Sequence, residues 1–534
     1  MSEKNITKDK DLTVEHNHTY NMRSAIVNYY LLIMFTFFEM FLTAQYAKAR
    51  TDKFVLFIIL TAVLTVAVVA ISIVYSSDKD PQTRIINEKP FFAMSATDIG
   101  FISFFVCACI TTIVSDYKLE SLIGGPHSRD NGLVLILLYL LVYFFISRYY
   151  YYKSYVLVAF LVFGSIISLL AVLHFYYIDP LGIMTGYSES VINDFGTTIG
   201  NKNTIASYMC IFLPFTIMMF VAQNNKSIRI VSAISIAFAY MGLLVAGSNS
   251  GYIGLFAMLF FMFLVCIRNA ELFKNLMIAL TIMFSSGLIL RLLSFILKED
   301  KGFEQIGKAL IYSKYVFFII AFFAALSIAM YFLCKNNTTT TKWPKNILTA
   351  IVLLFGTAIL AVCVYLFIKY TFIDTKSDIG ALSQIFRFDD RWGTHRGFMW
   401  INGVKDFLNF DFVHILFGSG CDTFYYVFEP HFEELCERFN NSSTNTIHSE
   451  YLNYLVTQGV LGFLSYMTVL ISVIARAFKA SKENYLALIF IFPVIAYAAQ
   501  AVVNIYQPIT TPFLIIFIAL SECIARKSNS ENKL

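Results

Sequence analysis

Apolar runs of about twenty residues recur along this chain between residues 24 and 526. One of them, FVLFIILTAVLTVAVVAISIV from Phe54 to Val74, carries no ionisable side chain. Hydrocarbon offers no water to satisfy a backbone N–H or C=O, so such a segment must close its own hydrogen bonds as a helix. At 1.5 Å rise per residue, about twenty residues cross the roughly 30 Å apolar layer. The runs are too long for barrel strands, which need only about 9–11 residues. Composition agrees, with 58% hydrophobic and 14% charged residues against about 25% charged in a soluble domain. The sequence therefore predicts an all-α polytopic membrane protein with about fourteen transmembrane helices, twelve to fourteen fitting the pattern.

The runs divide the chain. Residues 1–23 read as a soluble tail ahead of a first membrane helix rather than a removed signal peptide. Residues 24–370 hold helices one to eleven, 371–450 a long polar insertion, 451–526 helices twelve to fourteen, and 527–534 a second tail. The connections RYYYYK, NNKSIR, RNAELFK, CKNNTTTTKWPK and ARAFKASKEN, and the tail ARKSNSENKL, are short and basic. The positive-inside rule puts them with both termini in the cytoplasm, and so puts 371–450 outside. Lys48, Arg50 and Lys53 run against that assignment. Loops beyond about 15 residues are usually functional or disordered, and the aromatic content of this one predicts an ordered, membrane-hugging helical domain.

The net charge of +5, from 40 basic and 35 acidic residues, suits positive-inside loops better than a nucleic-acid face. Nine cysteines without a CxxC pair, and no HExxH, point to no metal and no cofactor. Cys421 and Cys436 share one polar region, where spacing alone fixes no disulfide geometry.

Several polar stretches interrupt this pattern. In RWGTHRGFMW, Arg396 and Trp400 share a helix face at i,i+4, and the turn at Gly393 brings Arg391 within reach. Guanidinium forks bind phosphate or diphosphate, while Arg and Trp also serve as interfacial anchors; the residues alone leave both open. His448, in NTIHSEYL, can accept a proton near neutrality, or be a surface or capping histidine. In GNKN, Lys202 adds charge at a helix start that Asn201 or Thr204 can cap, with Asn203 beside it. GSNSGYIG, containing Asn249, is a tight turn between two spans with packing as its plain explanation. Glu39 lies within a span, where ionisable groups carry a functional presumption.

Taken in order, these landmarks resemble the O-antigen ligase and polymerase superfamily, bacterial membrane enzymes that transfer glycans from polyprenyl-diphosphate carriers. GGPHSRDNG, with Gly125 and Arg129 to Gly132, looks like the early G…R…G landmark. GNKNTIASY looks like GNPN…A with Lys202 for proline, and GSNSGYIG like the SRSG…G turn with Asn249 for arginine. RWGTHRGFMW resembles the Arg-x-x-x-Trp signature through Arg396 and Trp400, and ILFGSGCDTF the glycine-rich stretch after it. TIHSEYLNYLVTQGVLGFL resembles the histidine signature through His448, Tyr451, Leu452, Gly459 and Gly462, with Ser449 for asparagine. The likeness spans roughly residues 120–525.

The resemblance implies a metal-independent, inverting glycan ligase or polymerase, with catalytic roles for His448 and Arg396. Arg391, Arg129, Lys202, Asn203, Asn249 and Trp400 would bind the donor's diphosphate or glycan. It implies a polyprenyl-diphosphate-linked donor, a glycan or lipid acceptor, membrane lipids and other envelope-glycan assembly proteins as partners, with no nucleic acid. The site would face outward from the bacterial inner membrane. The alternatives are a transporter of lipid-linked glycan, whose fold should show inverted repeats and a midplane site, and a noncatalytic scaffold indifferent to loss of His448.

Overall fold

The computed structural model describes residues 22–44, 46–76, 94–125, 127–335, 343–441 and 443–531. The expected N-terminal tail lies, up to residue 21, outside the described residues. Fourteen helices coincide with the fourteen apolar runs. The first nine are α1 Met22–Ile33, α2 Ala49–Ser76, α3 Ala96–Val114, α4 Leu133–Tyr149, α5 Ser154–Phe175, α6 Lys202–Ala222, α7 Lys226–Val245, α8 Asn249–Cys266 and α9 Ala270–Leu297. The remainder are α10 Tyr315–Lys335, α11 Lys345–Ile368, α12 Glu450–Ala480, α13 Leu486–Gln500 and α14 Thr511–Glu531. Eleven of them, α2, α3 and α5 to α13, are long and apolar enough to cross a bilayer. Met22–Phe38 (α1 with its π-helical continuation) and α4 are shorter apolar helices. The charged end of α14, Arg526 to Glu531, interrupts its apolar run.

Helix α6 is the centre of the bundle. Every residue from Thr204 to Ala222 is buried, because α7, α8 and α13 pack around it. At the other extreme, α11 buries none of its residues and turns an apolar surface outward on nearly all sides. Small residues permit the closest approaches, as where Cβ at Gly164 would sit 2.4 Å from the Phe212 ring.

One end of the bundle is tied by buried charge. The Asp98 carboxylate, fully buried, accepts from Arg148 at 2.8 Å, from Tyr143 at 2.7 Å and from Arg526. Buried Glu522 takes two hydrogen bonds from Arg476, both 2.8 Å, and pairs with Arg526 at 3.1 Å. The network binds α3, α4, α12 and α14 at one level, and removing one partner would strand a charge in a low-dielectric site. Glu39, at the other end of α1, is buried near Lys53, whose ammonium donates to the carbonyls of Phe38 and Glu39.

The insertion after α11 is ordered. It contains helices Ser383–Phe386, Trp392–Leu408, Phe412–Phe417, Phe424–Phe428 and Phe432–Phe439. Phe398, Met399, Phe407, Phe424, Phe428, Leu435 and Ile447 form its core and meet Val456 of α12. Cys421 and Cys436 do not pair: the first is buried, the second exposed, and both are free thiols.

Candidate active site

The site is organised where α12 breaks. Gly459 has φ 67° and ψ −174°, which interrupts the helix and leaves carbonyls behind it without intrahelical donors. The FGSG stretch supplies those donors: Ser419 N donates to Val456 O at 3.1 Å and Gly420 N to Thr457 O at 3.0 Å. A Cβ at Gly459 would lie 2.4 Å from the backbone of Leu416 and Phe417. One at Gly418 (φ 80°) would lie 2.3 Å from Gln458 N. Two backbones touch there, so only glycine fits both positions. The contact fixes the loop domain to α12 just beyond the helix start that carries His448.

His448 stands two residues before α12 and is half-buried. Its Nδ1 lies 3.2 Å from Thr446 O. A carbonyl can only accept, so Nδ1 carries the proton and Nε2 keeps its lone pair. Burial, then the positive charges of Arg396 and Arg129, push the imidazole down to about 3. It is therefore neutral at physiological pH.

The two guanidiniums differ in how they are held. Arg396 donates to Gly393 O at 2.9 Å, while its Nε is buried without a partner. Burial lowers its pKa from the usual value. Arg129 donates through Nε to Asn445 Oδ1 at 2.8 Å, and its pKa is pushed down to about 10 by burial and by Arg50. Neither has an ion pair with a carboxylate among the described residues. Two guanidiniums with no carboxylate hydrogen-bond partner among the described residues thus act on a neutral imidazole, an arrangement suited to an anion.

Asp422 positions Arg129. Its Oδ2 accepts from Arg129 N at 2.7 Å and from Asn131 N at 2.8 Å, stapling the 128–132 turn onto the loop domain. Burial raises this carboxyl to about 6, held back by those two backbone donors. Trp400 acts on the other flank: its Nε1 donates to Ile447 O at 2.9 Å, one residue before His448, and its ring packs on Trp392 at 5.0 Å.

Backbone strain gathers at the same place. Nine non-glycine residues among those described have φ in the left-handed region, and five of them are Asp130, Thr394, His395, Asp422 and His448. Each costs on the order of 1–3 kcal/mol, and such residues persist where surrounding contacts over-determine them. The expected turn at Gly393 is a kink of three left-handed residues, Gly393 to His395.

Other expected residues fall elsewhere. Arg391 is exposed at the start of Trp392–Leu408; its backbone N–H is given to Asp389 and its carbonyl accepts from His395 N, with no hydrogen bond or ion pair to its side chain among the described residues. Lys202 pairs with Asp194 at 2.9 Å. It helps line a cleft of about 180 Å³ with His174, Lys301 and Glu304. Asn203 belongs to a buried polar network: its Oδ1 accepts from Ser248 Oγ at 2.7 Å and its carbonyl from Asn504 Nδ2 at 3.1 Å. Asn249 is exposed. No hydrogen bond or ion pair joins these three to the His448 group among the described residues. Sequence reasoning missed Asp422 and Asn445. The αL-tolerant acid two residues after a Gly-Ser-Gly stretch is the signal that pointed to the former.

Residues 306–467 match the O-antigen ligase family. This agrees with the superfamily to which the polar landmarks are similar. The matched span takes in Arg391, Arg396, Trp400, Asp422 and His448, and leaves Arg129, Lys202, Asn203 and Asn249 outside it. No curated protein matches the chain. The O-antigen ligase match supports a glycan-processing function of ligase type for this multi-pass membrane protein.

Proposed function

We propose that the protein is a glycan ligase or polymerase of the bacterial inner membrane. It transfers an oligosaccharide from a polyprenyl-diphosphate carrier to a hydroxyl acceptor at the outer face. The observation that carries this reading is the neutral His448, its Nε2 free, beside two guanidiniums that lack carboxylate partners.

The acceptor O–H gives its proton to Nε2 of His448 as its oxygen attacks the anomeric carbon. The bond from that carbon to the diphosphate oxygen breaks, and the electron pair leaves with the lipid diphosphate. Arg396 and Arg129 stabilise the negative charge that grows on the leaving group, which is where catalysis must act. One displacement from the face opposite the leaving group inverts the anomeric centre. The guanidiniums have a second effect. After burial, the larger cause, their charge lowers the basicity of His448 further. A bound diphosphate offsets their charge, so donor binding strengthens the base. Proton removal is thereby tied to donor occupancy.

The test uses purified protein in lipid vesicles with polyprenyl-diphosphate oligosaccharide extracted from its own host. The expected result is release of polyprenyl diphosphate with either a longer glycan, for a polymerase, or a glycosylated second acceptor, for a ligase. Arg396→Ala should remove turnover. Activity within about threefold of wild type, less than roughly 1 kcal/mol of transition-state stabilisation, would make Arg396 an anchor instead. Movement of intact lipid-linked glycan across the vesicle wall without transfer would assign a transporter.

A further inference from the structure

A group of exposed rings stands beside the candidate site and takes no part in the mechanism above. Tyr117 stacks on Tyr426 with centroids 4.0 Å apart and planes 10° apart. His127 stacks on Tyr425 at 4.2 Å and 12°. The two pairs are set nearly at right angles, with Tyr425 and Tyr426 in edge contact at 5.4 Å and 80°. In each pair one ring is half-buried and the other is exposed: Tyr117 and His127 turn toward solvent, Tyr117 with 37% of its surface free. Tyr426 Oη donates to Glu120 Oε1 at 3.3 Å, which fixes the orientation of the first pair.

The rings are joined to the reacting groups through two short stretches of chain. His127 and Arg129 lie in one turn, two residues apart, so their Cα atoms are separated by no more than about 7 Å. Tyr425 and Tyr426 follow Asp422, whose carboxylate holds that same turn. The rings are therefore tied to the Arg129 turn.

We propose that Tyr117, His127, Tyr425 and Tyr426 form a carbohydrate subsite that stacks a sugar ring of the glycan substrate. This proposal rests on the glycan-transfer reading of the site. A pyranose presents a face of C–H groups ringed by hydroxyls. An aromatic face, negative at its centre, accepts the C–H face, and polar groups at the rim meet the hydroxyls. Here Glu120 supplies acceptor oxygens and the His127 ring nitrogens both donor and acceptor capacity. Two faces at right angles suit two successive sugars whose ring planes differ. An aromatic belt that anchors a protein at the headgroup level has no need of stacked pairs fixed to a catalytic turn.

The test is binding of oligosaccharide freed by mild acid from the host's polyprenyl-diphosphate pool, followed by saturation-transfer NMR on the purified, detergent-solubilised full chain. Because it needs no turnover, it separates this proposal from the transferase reading. Tyr117→Ala and Tyr425→Ala should each weaken binding roughly three- to tenfold, the value of one aromatic contact. Tyr117→Phe and Tyr117→Trp should retain it. Thermal unfolding identical to wild type would exclude a folding defect in Tyr117→Ala. Should that variant instead unfold early, Tyr117→Gln and the retained Phe variant provide the comparison. In the transfer assay, a rise in KM for the donor alone or for the acceptor alone assigns the subsite to that glycan. Equal binding by wild type, Tyr117→Ala and Tyr425→Ala, or no binding by wild type, would overturn the proposal and leave the rings as interfacial anchors.

Discussion

Asp422 offers a sharp test, because two substitutions that look equally severe should have opposite outcomes. The residue is 4% exposed and its backbone left-handed at φ 61°. One oxygen, Oδ2, accepts both N–H groups of the Arg129 turn, at 2.7 and 2.8 Å. Asp422→Ala leaves two buried donors unmet at about 1–3 kcal/mol each, so roughly 2–6 kcal/mol in all. Alanine also tolerates the left-handed backbone less well than Asp or Asn. Asp422→Asn keeps an oxygen for both donors and tolerates that backbone. It also escapes a cost that the native residue carries. Burial raises the carboxyl from 3.8 to about 6, so between those values the folded protein binds more protons than the unfolded chain. The group's contribution to stability is full below about pH 4 and is lost as pH rises through 6. Above that, ionisation costs roughly 3 kcal/mol at 1.36 kcal/mol per pH unit. At pH 7.5 Asp422→Asn should therefore be at least as stable as wild type, and it should lack the wild type's gain on acidification to pH 5. Apparent Tm in detergent at one scan rate, compared at pH 5 and 7.5, reads both effects. Asn as unstable as Ala at pH 7.5, or with the wild type's pH response, would refute the reasoning.

Three further outcomes are expected. His448 in wild type should react with diethyl pyrocarbonate, which modifies neutral imidazole, down to well below pH 6.5; saturating inorganic pyrophosphate and Arg396→Ala should each shift that midpoint upward, because both remove positive charge from its surroundings. No shift under either condition would separate His448 from the anion pocket. Trp400→Phe deletes the N–H bound to Ile447 O and should lower turnover on the order of 10- to 100-fold with donor binding within about twofold, as expected of a residue that positions a base. Weakened donor binding with unchanged kcat would make Trp400 a substrate contact. With the other eight cysteines replaced, exposed Cys436 should label with an impermeant maleimide on intact cells, and Lys482→Cys in a cysteine-free background should be protected; the reverse pattern would invert the proposed orientation.

Much of the fold was legible because a bilayer allows so few solutions. Each of the fourteen apolar runs is a helix, and the boundaries of α6, α8 and α10 fall within a few residues of the apolar limits. Composition could not say which helices are central. By apolar content α11 outranks α6, yet α6 is buried throughout and α11 not at all. The difference lies in Asn203, Ser207 and Gly251, through which α6 meets its neighbours. Small and polar residues, rather than apolar ones, mark a helix packed against helices in lipid. The order of the 374–449 region was readable from its aromatics, which form its core.

The site was legible where a residue's chemistry is rare in its setting, and not where its meaning depends on a distant partner. A histidine and arginines next to membrane helices stand out by type alone, and in the structure the charges of Arg396 and Arg129 both act on His448. Lys202 stood out for the same reason, yet a carboxylate eight residues earlier folds back to 2.9 Å and neutralises it. Nothing in a linear reading separates that lysine from the arginines, because compensation is a property of contacts. Asp422 lay hidden for the complementary reason: its partners are 293 and 291 residues away. The same test bears on the proposed diphosphate site. A cation whose charge is already met by a carboxylate gains little from a diphosphate, whereas Arg396 and Arg129 are held by neutral oxygens of Gly393 and Asn445. Those oxygens orient the guanidiniums without discharging them, and in the proposed reaction that charge would meet the leaving group.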